Sequence, residues 1–458
     1  MLPFARGTRI ALIGGEEVRH RLVVGGSAGV ALDDGRLPDL DACLAAEGLL
    51  VSSHAGGLPD VPLPALRAED CVGLEAVVTD ASGRREFDLD AARLTTDPDD
   101  PDAPWSAELT AVLPPQLGPA VAALEFAGVA DVLLDGEVVA SGVREASPLL
   151  AGPAFVLRVA IPASDRERML VVRYRSGPAF VLPPIGMVPH LSLGVTPWEP
   201  AVRAVSQAAS AADAVVVLAG RATGAGMDSD GLRLPAGQED LIAAAVATGR
   251  PVVVVTHGSG PIDAPWRDRV SALLHVGHGG ERFAPALARV LSGRDEPGGR
   301  LPVTWPAGRA GLPQSRVDAD GVLELLEGVD VGYRGFERVG AEPAYWFGHG
   351  LGYATIGSPG ARVVGRSVHV DLTCGPDRGG KAVVQLYARP AHGETLAFAG
   401  FAAVRLEPGE RRTVAVEVDT AALATRSGGA MRHPTGSLTV QVGFSRGDLR
   451  HEVEVDLG

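Results

Sequence analysis

Cysteine, lysine and aromatic side chains are scarce in this sequence. Its three cysteines, Cys43, Cys71 and Cys374, stand far apart with no C-x-x-C pair. That argues against a disulfide framework or a zinc knuckle and points to reduced thiols in a cytoplasmic compartment. Lys381 is the one lysine, and 56 acidic residues outnumber 41 basic ones, giving a formal charge of −15. A nucleic-acid partner is not expected, because the phosphate backbone asks for a basic face. Phe, Trp and Tyr together make up 5% of the chain, which is thin material for the aromatic platforms of a strong free-standing sugar site. No apolar run reaches the roughly 20 residues of a membrane span, and M-L-P-F-A-R-G-T-R has no apolar signal core. The expectation is a soluble, cytoplasmic chain with no membrane partner.

What is present is enough apolar material, 46% of 458 residues, for several cores, about three domains at roughly 150 residues each. The stretch from Asp213 to Pro235 organises the reading. Ala214–Ala219 is an apolar run of strand length, and a Gly-rich loop with two carboxylates, Asp228 and Asp230, follows it. The loop closes on Leu234-Pro235 before a helix-like segment, 237–248. Loops leaving the ends of buried parallel strands are where open α/β sheets place their chemistry.

The same rhythm opens the chain. Ile10–Ile13 reads as a buried strand, 37–49 has helical spacing, and Leu50-Val-Ser-Ser reads as a second strand. It returns after residue 199 with a helix at 201–213, strands at 251–256 and 272–276, and a helix at 281–291. Strands alternating with helices predict a parallel sheet. Between these halves, residues 73–190 carry short apolar runs separated by turns, with Asp135-Gly136 as a hairpin signal. From Arg362 onward short alternating runs recur. Both regions predict antiparallel β-sandwiches. The fold class is therefore α/β plus all-β: an α/β sandwich domain (1–72 and 191–357) interrupted by a β-sandwich insert (73–190) and followed by a C-terminal β-sandwich (358–458).

The motifs, taken in order, resemble the C-terminal half of glycoside hydrolase family 3, the β-glucosidase type. They are Leu234-Pro-Ala-Gly-Gln238, Val252-Val-Val-Val-Thr-His-Gly-Ser-Gly-Pro261, Arg300-Leu-Pro-Val-Thr-Trp-Pro306, Glu327-Gly-Val-Asp-Val-Gly-Tyr-Arg334 and Phe347-Gly-His-Gly-Leu-Gly-Tyr353. Val384-Gln-Leu-Tyr387 and the stretch from Gly400 to Glu410 resemble the family's fibronectin type III-like module. Val132-Leu-Leu-Asp-Gly-Glu137 resembles a protective-antigen-type sandwich. The resemblance implies a (β/α)8 barrel before this layout, carrying the nucleophilic Asp, and an acid/base Glu in the loop before Leu234. Counting back from Leu234, Asp228 falls on the Asp of the family's E-x-E-G-x-D-R pattern, Ser229 on its Arg, and Thr223 and Ala225 on its two Glu. No Glu lies between Gly220 and Pro235.

Retaining glycoside hydrolysis needs two carboxyl groups about 5–5.5 Å apart, and general acid catalysis contributes roughly 10²–10⁴ in rate. The expectation is a β-glucosidase-like half that is inactive alone. It would either complement a separate barrel subunit or stand as a pseudoenzyme. Asp228 and Asp230 are the only catalytic candidates, and their plainer reading is as solvated loop residues. His257 and Trp266 are candidates for substrate contact, against plainer readings as a hydrogen-bonded loop histidine and a core indole. Trp346 carries the same two readings. Glu327, Tyr333 and Arg334 read as structural. Asp97–Asp102 lacks calcium-loop spacing, and Gly25–Gly29 lacks a phosphate-loop pattern, so no metal or cofactor is expected. The alternative is a carbohydrate- or protein-binding module that uses the β-sandwich insert.

Overall fold

The computed structural model describes the chain except residues 1, 15–36, 55–62, 97–99, 101–102, 117, 145–155, 178–179, 183–184, 188, 198–200, 222–230, 235–236, 309–311, 313–314, 319 and 391–394. It divides into two compact units. One holds Arg6–Ser259 and Trp266–Pro285, the other Leu2–Ala5, Gly260–Pro265 and Ala286–Gly458.

The first unit opens with β1 (Arg9–Ile13), α1 (Leu40–Ala46) and β2 (Leu50–His54). Asp39 caps α1 by accepting from the Ala42 N–H at 2.9 Å, which satisfies one of the donors that every helix start leaves over. Antiparallel strands follow. They are β3 (Gly73–Asp80), β4 (Gly83–Asp88), β5 (Arg93–Thr95), β6 (Ser106–Leu113), β7 (Ala120–Leu134), β8 (Glu137–Arg144), β9 (Val156–Ile161) and β10 (Arg168–Ser176). The short hairpin β11 (Phe180–Leu182) and β12 (Ile185–Met187) and then β13 (His190–Pro197) complete them.

The two apolar runs at 121–126 and 130–134 form a single strand, β7, of 15 residues. Its first half pairs with β9 and β13, its second with β8 and β10. One strand thus serves both layers of the sandwich. The change of partners falls at Gly128, whose φ is +137°, where Tyr174 Oη donates to the Ala127 carbonyl. Asp135 and Gly136 both take positive φ, 51° and 89°, as the tight β7–β8 turn requires. The core interleaves Leu109 and Leu113 of β6, Leu124 and Phe126 of β7, Leu170 and Val172 of β10, and Leu191 and Leu193 of β13.

The chain then returns to the parallel sheet through α2 (Ala201–Ser210), β14 (Ala214–Gly220), α3 (Gln238–Ala247), β15 (Val252–His257) and β16 (Ala272–His275). The sheet order is β16-β15-β14-β1-β2. Every residue of β14 and β15 is buried, which explains why both read as unbroken Val-rich runs without alternation. Helices α2 and α3 pack on each other, α2 on β1 and β2, and α3 on β14 and β15. The chain leaves β1 toward β2 and later resumes on its other side at β14, so the topological switch point lies between β1 and β14. Helix α4 (Phe283–Leu291) follows.

The second unit contains the hairpin β17 (Ser315–Val317) and β18 (Leu323–Leu325), helix α5 (Tyr333–Val339) and a terminal sandwich. Its sheets are β19 (Ile356–Val364), β20 (Ser367–Cys374) and β23 (Arg411–Glu417) on one side. Strands β21 (Gly380–Ala388), β22 (Ala397–Leu406), β26 (Ser437–Ser445) and β27 (Asp448–Asp456) form the other, and β24 (Thr425–Ser427) and β25 (Ala430–Arg432) make a small hairpin. Inward residues such as Val370, Leu372, Val384, Leu386, Val440 and Val455 fill the core. The Glu296 carboxylate is tied in by the Ala354 and Lys381 N–H groups, at 3.1 and 2.9 Å. Gly352 and Gly380 leave the room it occupies, since a Cβ at either would meet its oxygens. Among the described residues no helix is long and apolar enough to cross a membrane.

Candidate functional site

The carboxyl ends of β14, β15 and β16 meet at one edge of the parallel sheet beside the switch point, where open α/β folds bind ligands. The last residue of β14, Gly220, is held by the side chain of Gln238, the first residue of α3. Its N–H donates to Gln238 Oε1 at 2.7 Å, and Gln238 Nε2 donates to its carbonyl at 3.0 Å. Gln238 is buried, so this two-way clamp satisfies both backbone polar groups of Gly220 where β14 ends. Gly220 must lack a side chain, because a Cβ there would enter the His257 ring.

Arg221 follows, buried, with its guanidinium donating to the Gly231 carbonyl. Burial holds its pKa below the ordinary arginine value. Gly258, at φ +115°, turns the chain after β15 and donates its N–H to the Gly277 carbonyl at 3.1 Å. Its missing Cβ would stand 2.9 Å from the Arg221 carbonyl oxygen. Ser259 Oγ then lies 2.9 Å from His278 Nε2, and Thr256 Oγ1 lies 3.1 Å from His275 Nδ1. Burial, with the nearby charges of His278 and Arg221, pushes His275 down to about 4. Burial also lowers His278. In both, the shift favours the neutral imidazole, which makes neither a ready general acid.

Of the residues singled out from sequence, Asp228 and Asp230 lie outside the described residues, as do Thr223, Ala225, Ser229, Gly25–Gly29 and most of Asp97–Asp102. His257 ends β15 at the edge just described and is buried. Trp266 is also buried, with its indole Nε1 shielded and no acceptor among the described residues. Trp346 donates from Nε1 to Glu342 at 2.9 Å and lies under the Arg446 guanidinium, 5.2 Å from the ring centre. Tyr333 stacks on Phe347 at 5.4 Å, and its hydroxyl accepts from the Phe398 N–H at 2.8 Å. Sequence reasoning did not single out Gln238, Arg221, Ser259, His275 or His278 as site residues. Gln238 sits in the quoted Leu-Pro-Ala-Gly-Gln motif and could have been found there. The Ser259–His278 and Thr256–His275 pairs depend on strand adjacency, which linear spacing does not report.

The chain matches the glycosyl hydrolase family 3 C-terminal domain over residues 1–353 and a fibronectin type III-like domain over 382–446. It is 32% identical over 385 residues to a β-glucosidase of Rhizobium radiobacter, covering 78% of this chain and 47% of that protein. Its fold is similar to that of a β-glucosidase from Streptomyces venezuelae solved with D-glucose, with a TM-score of 0.70 and 24% identity over all of this chain and 57% of that one. β-Glucosidase 3B of Thermotoga neapolitana, solved with α-D-glucose, matches 56% of this chain and 39% of its own, with a TM-score of 0.51 and 28% identity. The chain spans about half or less of the length of the curated relatives it matches. With the family model covering the parallel sheet, its edge and the insert between its halves, this chain belongs to the glycosyl hydrolase family 3 C-terminal domain family.

Proposed function

We propose that these 458 residues serve β-glucoside hydrolysis as its supporting half and do not turn over substrate by themselves. The observation that carries this reading is the loop after β14. Strand β14 ends beside the switch point of a family 3 sheet, yet the sequence that follows it has no Glu between Gly220 and Pro235. The groups described at that edge are imidazoles, hydroxyls, an amide and a guanidinium, and burial lowers the pKa of the His275 and His278 imidazoles, which favours their neutral forms. Such groups do not replace the carboxyl pair that retaining hydrolysis uses. The missing acids come, on this reading, from a (β/α)8 barrel outside these residues, with the present chain shaping one wall of the pocket. Without a barrel the chain is a pseudoenzyme. Its compartment is the reducing cytoplasm, a reading supported by three free cysteines.

The test is hydrolysis of an aryl β-glucoside by the purified chain. No turnover above the uncatalysed rate is expected, and clear turnover abolished by Asp228→Asn would overturn the proposal.

A second reading, in which the insert contacts a carbohydrate, is favoured by a groove of about 470 Å³ on the outer face of its sheet. Arg84, Arg173 and Arg175 line it together with Glu108, Asp131, Thr79 and Ser106. Mixed donors and acceptors at that size suit a hydroxyl-rich ligand. Glycan-array binding lost in Arg173→Ala would support this reading, and an array without binding would end it.

A further inference from the structure

One sheet face of the insert turns away from its core and carries charged and hydroxyl side chains in two rows. Side chains alternate across a strand. Ala107 and Leu109 of β6 and Val172 and Tyr174 of β10 therefore point into the core, while Glu108, Arg173 and Arg175 point outward. Strand register sets the rows. In one, Val77 of β3 faces Glu108, Glu108 faces Arg173, and Arg173 faces Asp131 of β7. In the other, Arg84 of β4 faces Thr79, Thr79 faces Ser106, Ser106 faces Arg175, and Arg175 faces Val129. The rows lie two residues apart along each strand, about 7 Å, and together they line the groove of about 470 Å³. Their charges are distributed unequally. In the first row Arg173 pairs with Glu108 at 3.0 Å, and Asp131 accepts from Ser141 Oγ of β8 at 2.5 Å. The second row holds two guanidinium groups and no acid. Arg84 reaches Glu86 on its own strand at 3.2 Å, with the two side chains 67% and 72% exposed, a contact too solvated to hold it firmly. Arg175 stands between Ser106 and Val129, and among the described residues no carboxylate pairs with it.

We propose that this groove binds an acidic sugar, a uronic acid unit with its carboxylate on the Arg175 row and its hydroxyls on the Glu108 and Asp131 row. The inference rests on the reading of the insert as a carbohydrate contact. The order of charges sets the ligand's polarity. Arg175 offers a fork of N–H donors that a carboxylate accepts in two parallel bonds. The Ser106 and Thr79 hydroxyls stand beside it as further donors, with Arg84 beyond them. Across the groove, the remaining lone pairs of Glu108 and Asp131 accept from hydroxyl groups. The same two carboxylates repel a second negative charge, which favours a monoanion with hydroxyls over a phosphate. The rows are close enough for one pyranose ring to reach both, and Val77 and Val129 supply the apolar contact that such sites place against a ring. In a chain of formal charge −15, a guanidinium without an acid partner reverses the surrounding field locally and attracts an anion to that spot.

The experiment measures binding of methyl β-D-glucuronide and methyl β-D-glucoside to the full chain by saturation-transfer NMR. The two probes differ only in the carboxylate at C6. The glucuronide should bind about tenfold or more tighter than the glucoside, and added salt should weaken the glucuronide alone. Arg175→Gln should remove the preference and leave glucoside affinity where it was. Arg175→Lys keeps the charge without the fork and should retain part of it. Arg175 is exposed, so an unchanged melting temperature shows that each variant still folds. Equal affinity for the two probes, with both lost in Arg173→Ala, overturns the acidic sugar and leaves the insert as a contact for neutral carbohydrate. A glucuronide preference that survives Arg175→Gln overturns the assignment to this row. Displacement of the glucuronide by an equal concentration of inorganic phosphate makes the groove a general anion site and overturns the inference as well. Binding of neither probe ends both the inference and the reading beneath it.

Discussion

His275 is the residue where burial has the most measurable consequence. Its imidazole ordinarily titrates near 6.5 and is pushed to about 4 in the fold. The unfolded chain therefore binds a proton at a pH where the folded chain refuses it. That stability is fully present above pH 6.5 and is lost as pH falls toward 4, by about 3 kcal/mol at most. Urea unfolding of His275→Asn across this window should show a flatter pH dependence than the parent. Asp213 acts in a lower window. The Arg9 side chain, donating at 2.6 and 3.1 Å, holds its carboxyl down to about 2. Its contribution is present above the ordinary carboxylate range and disappears as pH drops from about 4 to about 2. Asp213→Asn should remove that acid-side slope and leave the His275 window intact. Gln238 offers a test without titration. Gln238→Leu strips both hydrogen bonds from the buried Gly220 peptide, and a loss of about 2 kcal/mol is expected in chemical unfolding.

At the scale of elements, β7 carries the insert. It can pair with four strands because its two halves belong to different layers, and the bend between them needs the backbone that Gly128 supplies. At φ +137° a side chain is strained, and a Cβ there would drive into the Arg175 carbonyl and stand 2.9 Å from the Tyr174 ring. Gly128→Ala should destabilise the protein by about 3 kcal/mol or more, since neither the backbone oxygen nor the buried ring can move freely. Gly83→Ala is the matched control. It also takes positive φ but has open space around it, so it reports strain alone and should cost less. The runs of β6 and β10 were legible from sequence because one face of each meets the core, whereas β13, buried over four successive residues, was not read as a strand. The continuity of β7 was not legible either, since its two apolar runs look like separate strands until the fold carries one into the other through Gly128, with different partners on each side.

At the scale of the whole molecule, the two units are interleaved along the chain. Leu2–Ala5 and Gly260–Pro265 belong with residues 286–458. Phe4, Ile262 and Ala264 are buried, and the Phe4 N–H donates to the Leu291 carbonyl at 2.8 Å. A fragment starting at Ala286 lacks these pieces. Phe4→Ala in the full chain should lower stability by about 3 kcal/mol through the cavity it leaves. Differential scanning calorimetry comparing the full chain, Phe4→Ala and the fragment checks this, with the fragment expected to melt lowest.

The sequence by itself determined the order and kind of the elements. Val-rich runs such as 252–255 announce strands buried on both faces, period-two runs announce sandwich strands, and Asp135-Gly136 announces its turn, because each signal is local to the residues that carry it. The family was legible for the same reason, through short motifs in a fixed order. Tertiary structure alone decided which ends of which strands meet. His275 lies beside Thr256, Ser259 beside His278, and Gln238 over Gly220, through pairings between residues 18 or 19 apart in the chain. It also decided which apolar faces stay uncovered. The Val317, Leu323 and Leu325 row reads in sequence like any half-buried strand, and only the fold shows that nothing in the described chain packs on it. Local patterns fix what a segment can become, whereas neighbours across the chain fix what its side chains touch and which faces remain for a partner.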